Sequence, residues 1–197
     1  MNKNKPVIDR PFLAAAEEKV LLTLSRYVLE EHIIRAENYF PDHLIQEKFL
    51  ISAALKTEQG VFVTLLSAGH LRGCIGYITG RGPLFSSVIE NTMNAASRDP
   101  RFSPVREQEL AAIKIDISVM TPLQKISSLE SITVGRDGLY LKAGIYCGVF
   151  LPQVPLEQGW NKNQYLEHLS LKAGLDQSGY LQSDAEIFSF QAQVFGE

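Results

Sequence analysis

Few side chains in this sequence can do chemistry near neutral pH, and the densest group of them lies in "HLRGCIGY", His70 to Tyr77. Successive side chains alternate along an extended strand, so His70, Arg72, Cys74 and Gly76 are expected on one face. A guanidinium beside a thiol favours the thiolate, the nucleophilic form of cysteine. Gly73 and Gly76 would let a ligand or another backbone approach the sulfur, because glycine has no Cβ. The same residues fit a second reading. Cys74 is then a small buried side chain, and the glycines mark a bulge or a sharp bend. Local chemistry leaves both readings open.

Other kinds of site find less support. His32, His43, His70 and His168 are scattered, there is no HxxH or CxxC spacing, and Cys74 and Cys147 are expected on different hairpins, so no metal site is expected. "GYITGRGP" has glycines ahead of a helix but is neither a GxGxxG nor a Walker pattern, although Arg81 at that helix start could meet an anion. No nucleophile elbow is present. No cofactor is expected. With only two cysteines, both read as reduced thiols rather than a disulfide framework. A net charge of −3, with both signs interspersed, gives no electrostatic footprint for nucleic acid. The N-terminal "MNKNKPVIDRPF" is followed by no apolar signal region, and no apolar run is long enough for a bilayer. The chain therefore reads as cytoplasmic, with no membrane partner. Its 197 residues, 45% hydrophobic, can build a core of their own.

The elements that must position these residues follow from periodicity. Leu13, Ala16, Val20, Leu24, Tyr27 and Val28 recur at helical spacing, predicting a long amphipathic helix from Phe12 to Ile34. The pattern from Leu44 to Leu55 is too poor to assign. "VFVTLL" reads as a strand turned back by "SAGH" into the strand that carries Cys74. A helix follows Pro83 and ends at "RDPRFSP", and a short helix is expected from Val105 to Ala112. "KIDISVM" alternates Ile113, Ile115, Ile117 and Val119 against Lys114, Asp116 and Ser118, as in a half-buried strand. "ITVGRDGLYLKAGIYCGVFLP" reads as three strands, the first two joined at "RDG", where Asp137 and Gly138 would take positive φ. A helix is expected over Lys162 to Ala173, then one last strand, "EIFSFQAQVF", with Phe188, Phe190, Ala192 and Val194 on one face. The order of strands, helix and strand occurs twice, which suggests an internal duplication and α+β architecture.

"LRGCIG", "AASRDPRF", "LPQVPLEQGW" and "LKAG", in that order, resemble the AMMECR domain family, known in prokaryotes as protein A of the AmmeMemoRadiSam system. The resemblance runs from about Gly60 to Phe195. It implies an α+β fold with a barrel-like, mainly antiparallel sheet built from two related β/α units, flanked by helices including the long N-terminal one. The whole of 1–197 is then one AMMECR-type domain, or two intertwined subdomains of which the larger holds the N-terminal helix and the C-terminal strand. The resemblance also implies a genomic association with a Memo-type protein, related to extradiol dioxygenases, and with a radical SAM enzyme, but no settled reaction. It carries the family motifs onto Leu71 to Gly76, onto Asp99, Arg101 and Phe102, and onto Leu151 to Val154, Glu157 and Trp160. Asp99 could pair with Arg72 or Arg101. Trp160 would bury a large apolar area beside Gln153 and Glu157. "LSLKAG" lacks the cysteine often found before that lysine, and Tyr180 stands where tryptophan is common.

Two functions follow. In one, Cys74 is a nucleophile or covalent carrier, with Arg72 stabilising its thiolate and Asp99 orienting Arg72. In the other, the chain is an accessory or binding module whose cleft, formed by Gly73, Gly76, Asp99, Arg101, Gln153, Glu157 and Trp160 around the motif, takes a small anionic molecule or a peptide. The second is preferred, because the sequence offers no further base for the thiol.

Overall fold

Apolar residues three and four apart build the first helix, α1 (Ala15–Arg35), which buries Leu21, Leu24, Val28 and Leu29. Its start is fixed by Glu17, whose carboxylate accepts the Ala14 N–H at 2.8 Å and the Ser52 hydroxyl at 2.6 Å. Its end is fixed by Ala36 in the left-handed region, at φ 54°. The computed structural model describes residues 12–197, which form two compact units, residues 12–120 with 194–197 and residues 121–193. Among the described residues no helix is long and apolar enough to cross a membrane.

In the first unit the unassigned stretch after α1 yields a short helix, α2 (Asp42–Lys48), and a single 3-10 turn at Ala54–Lys56. A hairpin follows, β1 (Val61–Ser67) and β2 (His70–Tyr77), then α3 (Leu84–Ser97) and β3 (Ile113–Met120). The expected helix before β3 is a 3-10 segment, Glu107–Ala112. β3 lies antiparallel to β1 and buries Ile113, Ile115, Ile117 and Val119, as its alternation requires. α3 covers the same core with Leu84, Phe85, Val88 and Ile89, each side chain stabilising the fold by about 1.5–3 kcal/mol through burial.

The second unit holds β4 (Gln124–Lys125), β5 (Gly138–Ala143), β6 (Tyr146–Phe150), α4 (Val154–Gln158), α5 (Lys162–Lys172) and β7 (Ala185–Phe190). Tyr165 is its buried centre, donating its hydroxyl to the carbonyls of Asp137 at 3.2 Å and Phe150 at 3.4 Å. Three sequence expectations fail here. "ITV" is no strand, and the residue with positive φ is Gly135, at 85°, rather than Asp137 or Gly138. Asp137 is instead buried, where its carboxylate accepts the Thr133 N–H at 2.8 Å and the forked guanidinium of Arg136. The expected single C-terminal strand is two, β7 and β8 (Ala192–Gly196), which belong to different sheets. The break falls at Gln191, whose N–H donates to the Thr121 hydroxyl and whose carbonyl accepts the Thr121 N–H, both at 2.9 Å.

The class is α+β, with antiparallel strands and a long N-terminal helix, and the strands form two open four-stranded sheets where a barrel-like one was expected. Their orders are β2-β1-β3-β8 and β4-β7-β5-β6. Read from the hairpin outward, the two orders are the same. A hairpin's return strand forms one edge, its first strand pairs with the strand that follows the crossover helix, and a fourth strand closes the other edge. In both units that return strand carries a glycine against the helix's last turn. A Cβ on Gly73 would run into the carbonyl oxygen of Ala95 in α3, and one on Gly148 would lie 2.9 Å from that of Leu169 in α5. The duplication suspected from element order therefore extends to a shared packing device.

Gly73→Val should for this reason destabilise the fold by at least about 3 kcal/mol, beyond the roughly 1 kcal/mol that strand propensity spans and toward the severe end of overpacking. Urea denaturation checks this, and an unchanged midpoint would mean that α3 does not need the close approach.

Candidate functional site

A bulge in β2 decides what surrounds the cysteine. Gly73 is opposite Leu65 and Leu71 is opposite Leu66, which leaves Arg72 as the extra residue. The alternation breaks there, so Cys74 shares its face with Thr64, Leu71 and Gly76 rather than with Arg72 and His70. The Arg72 side chain forks onto Glu109, at 2.7 and 3.1 Å, and donates to the carbonyls of Ser103 at 3.0 Å and Pro104 at 3.4 Å. That pairing raises the pKa of Arg72 and lowers that of Glu109. Glu109, a partner that sequence reasoning missed, sits three residues after Arg106 and also accepts the Arg106 N–H at 2.9 Å. Its distance along the chain from Arg72 left no pattern to find.

The arginine at the motif is Arg101. β2 is an edge strand, and at Cys74 its N–H and C=O point away from β1. The Asp99 carboxylate accepts the Cys74 N–H at 2.9 Å, and Arg101 Nη2 donates to the Cys74 carbonyl at 3.3 Å. Asp99 and Arg101 are joined by two parallel bonds, at 2.9 and 2.7 Å, and Asp99 also accepts the Arg101 N–H at 3.1 Å. The pair thus takes the place of a neighbouring strand at one residue. It arrives there because Gly73 admits the last turn of α3, Pro100 ends the helix, and the Val105 N–H donates to Ala96 O at 2.8 Å, folding the loop back.

Asp99 is 4% exposed, and its carboxyl is held far below the usual carboxylate range, first by Arg101 and then, against the opposing effect of burial, by the N–H groups of Cys74 and Arg101. Arg101 has its own pKa raised, mainly by Asp99, with a smaller contribution from Cys74. Its side chain remains 54% exposed. The Cys74 sulfur is half-buried and accepts the Thr64 hydroxyl at 3.2 Å. Gly76 lies opposite Phe62, whose ring occupies the space that a Cβ would need. Arg72 and Glu109 line a surface groove nearby with Phe102, Ser103, Arg106 and Gln108. Both cysteines are free.

Cys74, Asp99 and Arg101 therefore come together, and Arg72 belongs to a neighbouring pair. Gln153, Glu157 and Trp160 belong to the second unit and form a group around α4. Trp160 stacks on His168 at 4.1 Å and meets Phe150 edge-on at 5.4 Å. The side-chain oxygen of Gln153, Oε1, is buried without a hydrogen-bond partner among the described residues, and burial raises the pKa of Glu157. His168, the stacking partner of Trp160, was missed because a lone histidine on a helix carries no motif. Among the described residues no group of three or more histidine, cysteine, aspartate or glutamate side chains converges as metal ligands would.

The Asp99 pairing gives a pH dependence with a definite sign. Its folded-state pKa lies below the unfolded value near 3.9, so its contribution is complete above about pH 5 and fades as pH falls below about 3.9. Asp99→Asn should cost about 2 kcal/mol at neutral pH, the range for hydrogen bonds to a charged group after allowing for the exposure of Arg101. The gap from the unmodified chain should narrow by roughly 1 kcal/mol between pH 5 and pH 3. Denaturation at both pH values measures it, and a gap independent of pH would rule out an ionised, paired Asp99.

A family model described as AMMECR1 matches residues 22–195. A protein of Methanothermobacter thermautotrophicus is 37% identical over 193 residues, covering 94% of this chain and 96% of that one. A protein of Methanocaldococcus jannaschii is 39% identical over 190 residues, covering 90% and 92%. The crystal structure of an uncharacterized protein, PH0010, from Pyrococcus horikoshii superposes with a TM-score of 0.79 at 35% identity, covering 90% of this chain and 89% of that one. In sequence over almost its whole length, and in fold, the chain belongs to the AMMECR1 family.

Proposed function

We propose that the protein is a binding or accessory module, and that the surface around Cys74 and Arg101 receives an anionic group, a small carboxylate or phosphate or an acidic peptide side chain. The observation that carries this reading is the state of Arg101. Its guanidinium is fixed by a two-point bond to a buried carboxylate, yet half of the side chain faces solvent beside a thiol. An arginine oriented in advance loses little side-chain freedom when it donates its remaining hydrogens to an anion. The groove lined by Phe102 and Arg106 extends the same surface.

The alternative, an enzyme with Cys74 as nucleophile or covalent carrier, is weakened by how its assigned helpers are engaged. Asp99 accepts four hydrogen bonds and resists protonation, which unfits it as a base. Arg72 is neutralised by Glu109. As an accessory module, the protein acts alongside a Memo-type protein and a radical SAM enzyme, the association that its family implies.

Titration with phosphate and acetate, followed by amide NMR, tests the reading. The expected result is saturable shifts at Gly73, Cys74 and residues 99–102, weakened about tenfold by Arg101→Lys, which keeps the charge but loses the fork. Cys74→Ser should change affinity by no more than about twofold, a few tenths of a kcal/mol. Shifts elsewhere would move the site. A covalent adduct on Cys74, or loss of all binding in Cys74→Ser, would favour the enzyme.

A further inference from the structure

The two sheets share one strand order but differ at corresponding edges. The outward N–H and C=O of Cys74 on β2 are satisfied by Asp99 and Arg101. β6 is the corresponding edge of the second sheet. It pairs with β5 through a two-residue turn at Gly144 and Ile145, with Ala143 opposite Tyr146 and Lys142 opposite Cys147. In such a hairpin the closing pair bonds inward, so Cys147 and Val149 direct their backbone groups away from β5. Among the described residues nothing caps those groups, and the Cys147 side chain is exposed. The loop after α5, which corresponds to the loop bearing Asp99 and Arg101, supplies Asp176 and no arginine.

Unpaired edges are ordinarily blunted by lysine, proline or a covering element. Here apolar side chains are exposed nearby. Ile145 at the turn is 91% exposed and Tyr146 is 48% exposed, and Leu171 and Leu181 are also exposed. Two grooves adjoin this end of the sheet. One runs from Gly144 to Tyr146 past Gly174, Asp176 and Asp184, and the other lies beside Leu171 between Glu167, Asp176 and Tyr180. Among the described residues the carboxylates of Glu167, Asp176 and Asp184 form no ion pair, and no cation lines either groove. The nearby Lys172 is held over the Phe150 ring, 4.2 Å from its centre.

We propose that the β6 edge, with its two acidic grooves, is a docking surface for an extended segment of a partner protein that alternates apolar residues with lysine or arginine and adds to the sheet beside Cys147 and Val149. Backbone pairing holds such a segment, and alternate side chains reach the grooves or Ile145 and Tyr146. Charge selects this occupant over a second copy of the chain. Two copies joined edge to edge would bring these carboxylates together, and like charges across an interface are unfavourable.

Two capped nine-residue peptides test the proposal on the full chain, one alternating lysine with valine and the other glutamate with valine. The lysine peptide should bind, shift the amides of Cys147 and Val149 in NMR spectra, and weaken steeply with added salt. The glutamate peptide should bind at least about tenfold more weakly. The double variant Asp176→Lys with Asp184→Lys should reverse that preference. If that variant fails to fold, the two peptides on the unmodified chain still decide. Equal affinity for both peptides, no binding of the lysine peptide at 1 mM (of the order of 4 kcal/mol), or shifts remote from β6 would overturn the proposal. So would a concentration-dependent dimer that shifts the same amides, since it would give the edge to a second copy.

Discussion

The first unit depends on how closely a helix end can approach an edge strand. Gly73 sets that distance, because any side chain there would collide with the main chain of α3. Once α3 is seated, its C-terminal loop lies alongside β2, and the chain must satisfy an outward-facing N–H and C=O that no strand will cover. Asp99 and Arg101 do so with opposite charges that also satisfy each other. A buried carboxylate is tolerable only under those conditions, since removing it from water without a paired cation and several donors would cost several kcal/mol. The glycine, the helix break at Pro100 and the Asp99–Arg101 pair are thus three parts of one solution, and changing any of them shifts the others.

This coupling explains why the motif could be read both as chemistry and as architecture. Asp99 is structural in that it holds the strand edge, and for the same reason Arg101 presents a fixed donor beside Cys74. A latch that orients an exposed guanidinium also holds it ready for a ligand, so the structural role of Asp99 is compatible with the binding role proposed for Arg101. The thiol is a different case. It accepts a hydrogen bond from Thr64 on the adjacent strand, a pairing that follows from register.

Much of the fold was legible in the sequence because its elements carry strong local patterns. The spacing in α1, the alternation of Ile113, Ile115, Ile117 and Val119, and the turn at Ala68 and Gly69 all announce their structures. The failures share a physical cause. The bulge at Arg72 has no local signature, since a single unpaired residue is decided by what the partner strand and α3 require, and it inverted the faces of His70 and Arg72 relative to Cys74. Asp137 looked like a turn residue but serves as a buried acceptor for Thr133 and Arg136, a use that becomes visible only when the surroundings exclude water. The C-terminal strand reads as continuous because Gln191 is compatible with a strand. Its split reflects two separate sheets, each completed by a segment that directly follows the third strand of the other. Glu109 and His168 were missed because their partnerships depend on distant contacts.

The duplicated topology also locates where the two units have diverged. The pairing order and the glycine under the helix are common to both, so these are requirements of the architecture, and the loop after the crossover helix is free to differ. In the first unit that loop holds an aspartate and an arginine that close the sheet edge. In the second it turns at Gly174, at φ 85°, and among the described residues nothing closes β6, which lies beside a carboxylate. An open edge with exposed isoleucine and tyrosine is an aggregation hazard that selection against misassembly would remove. Closing it would have required only a short polar loop of the kind the first unit already has. Next to carboxylates that form no ion pair among the described residues, such an edge fits the docking role proposed for it, and no packing requirement of the fold calls for it.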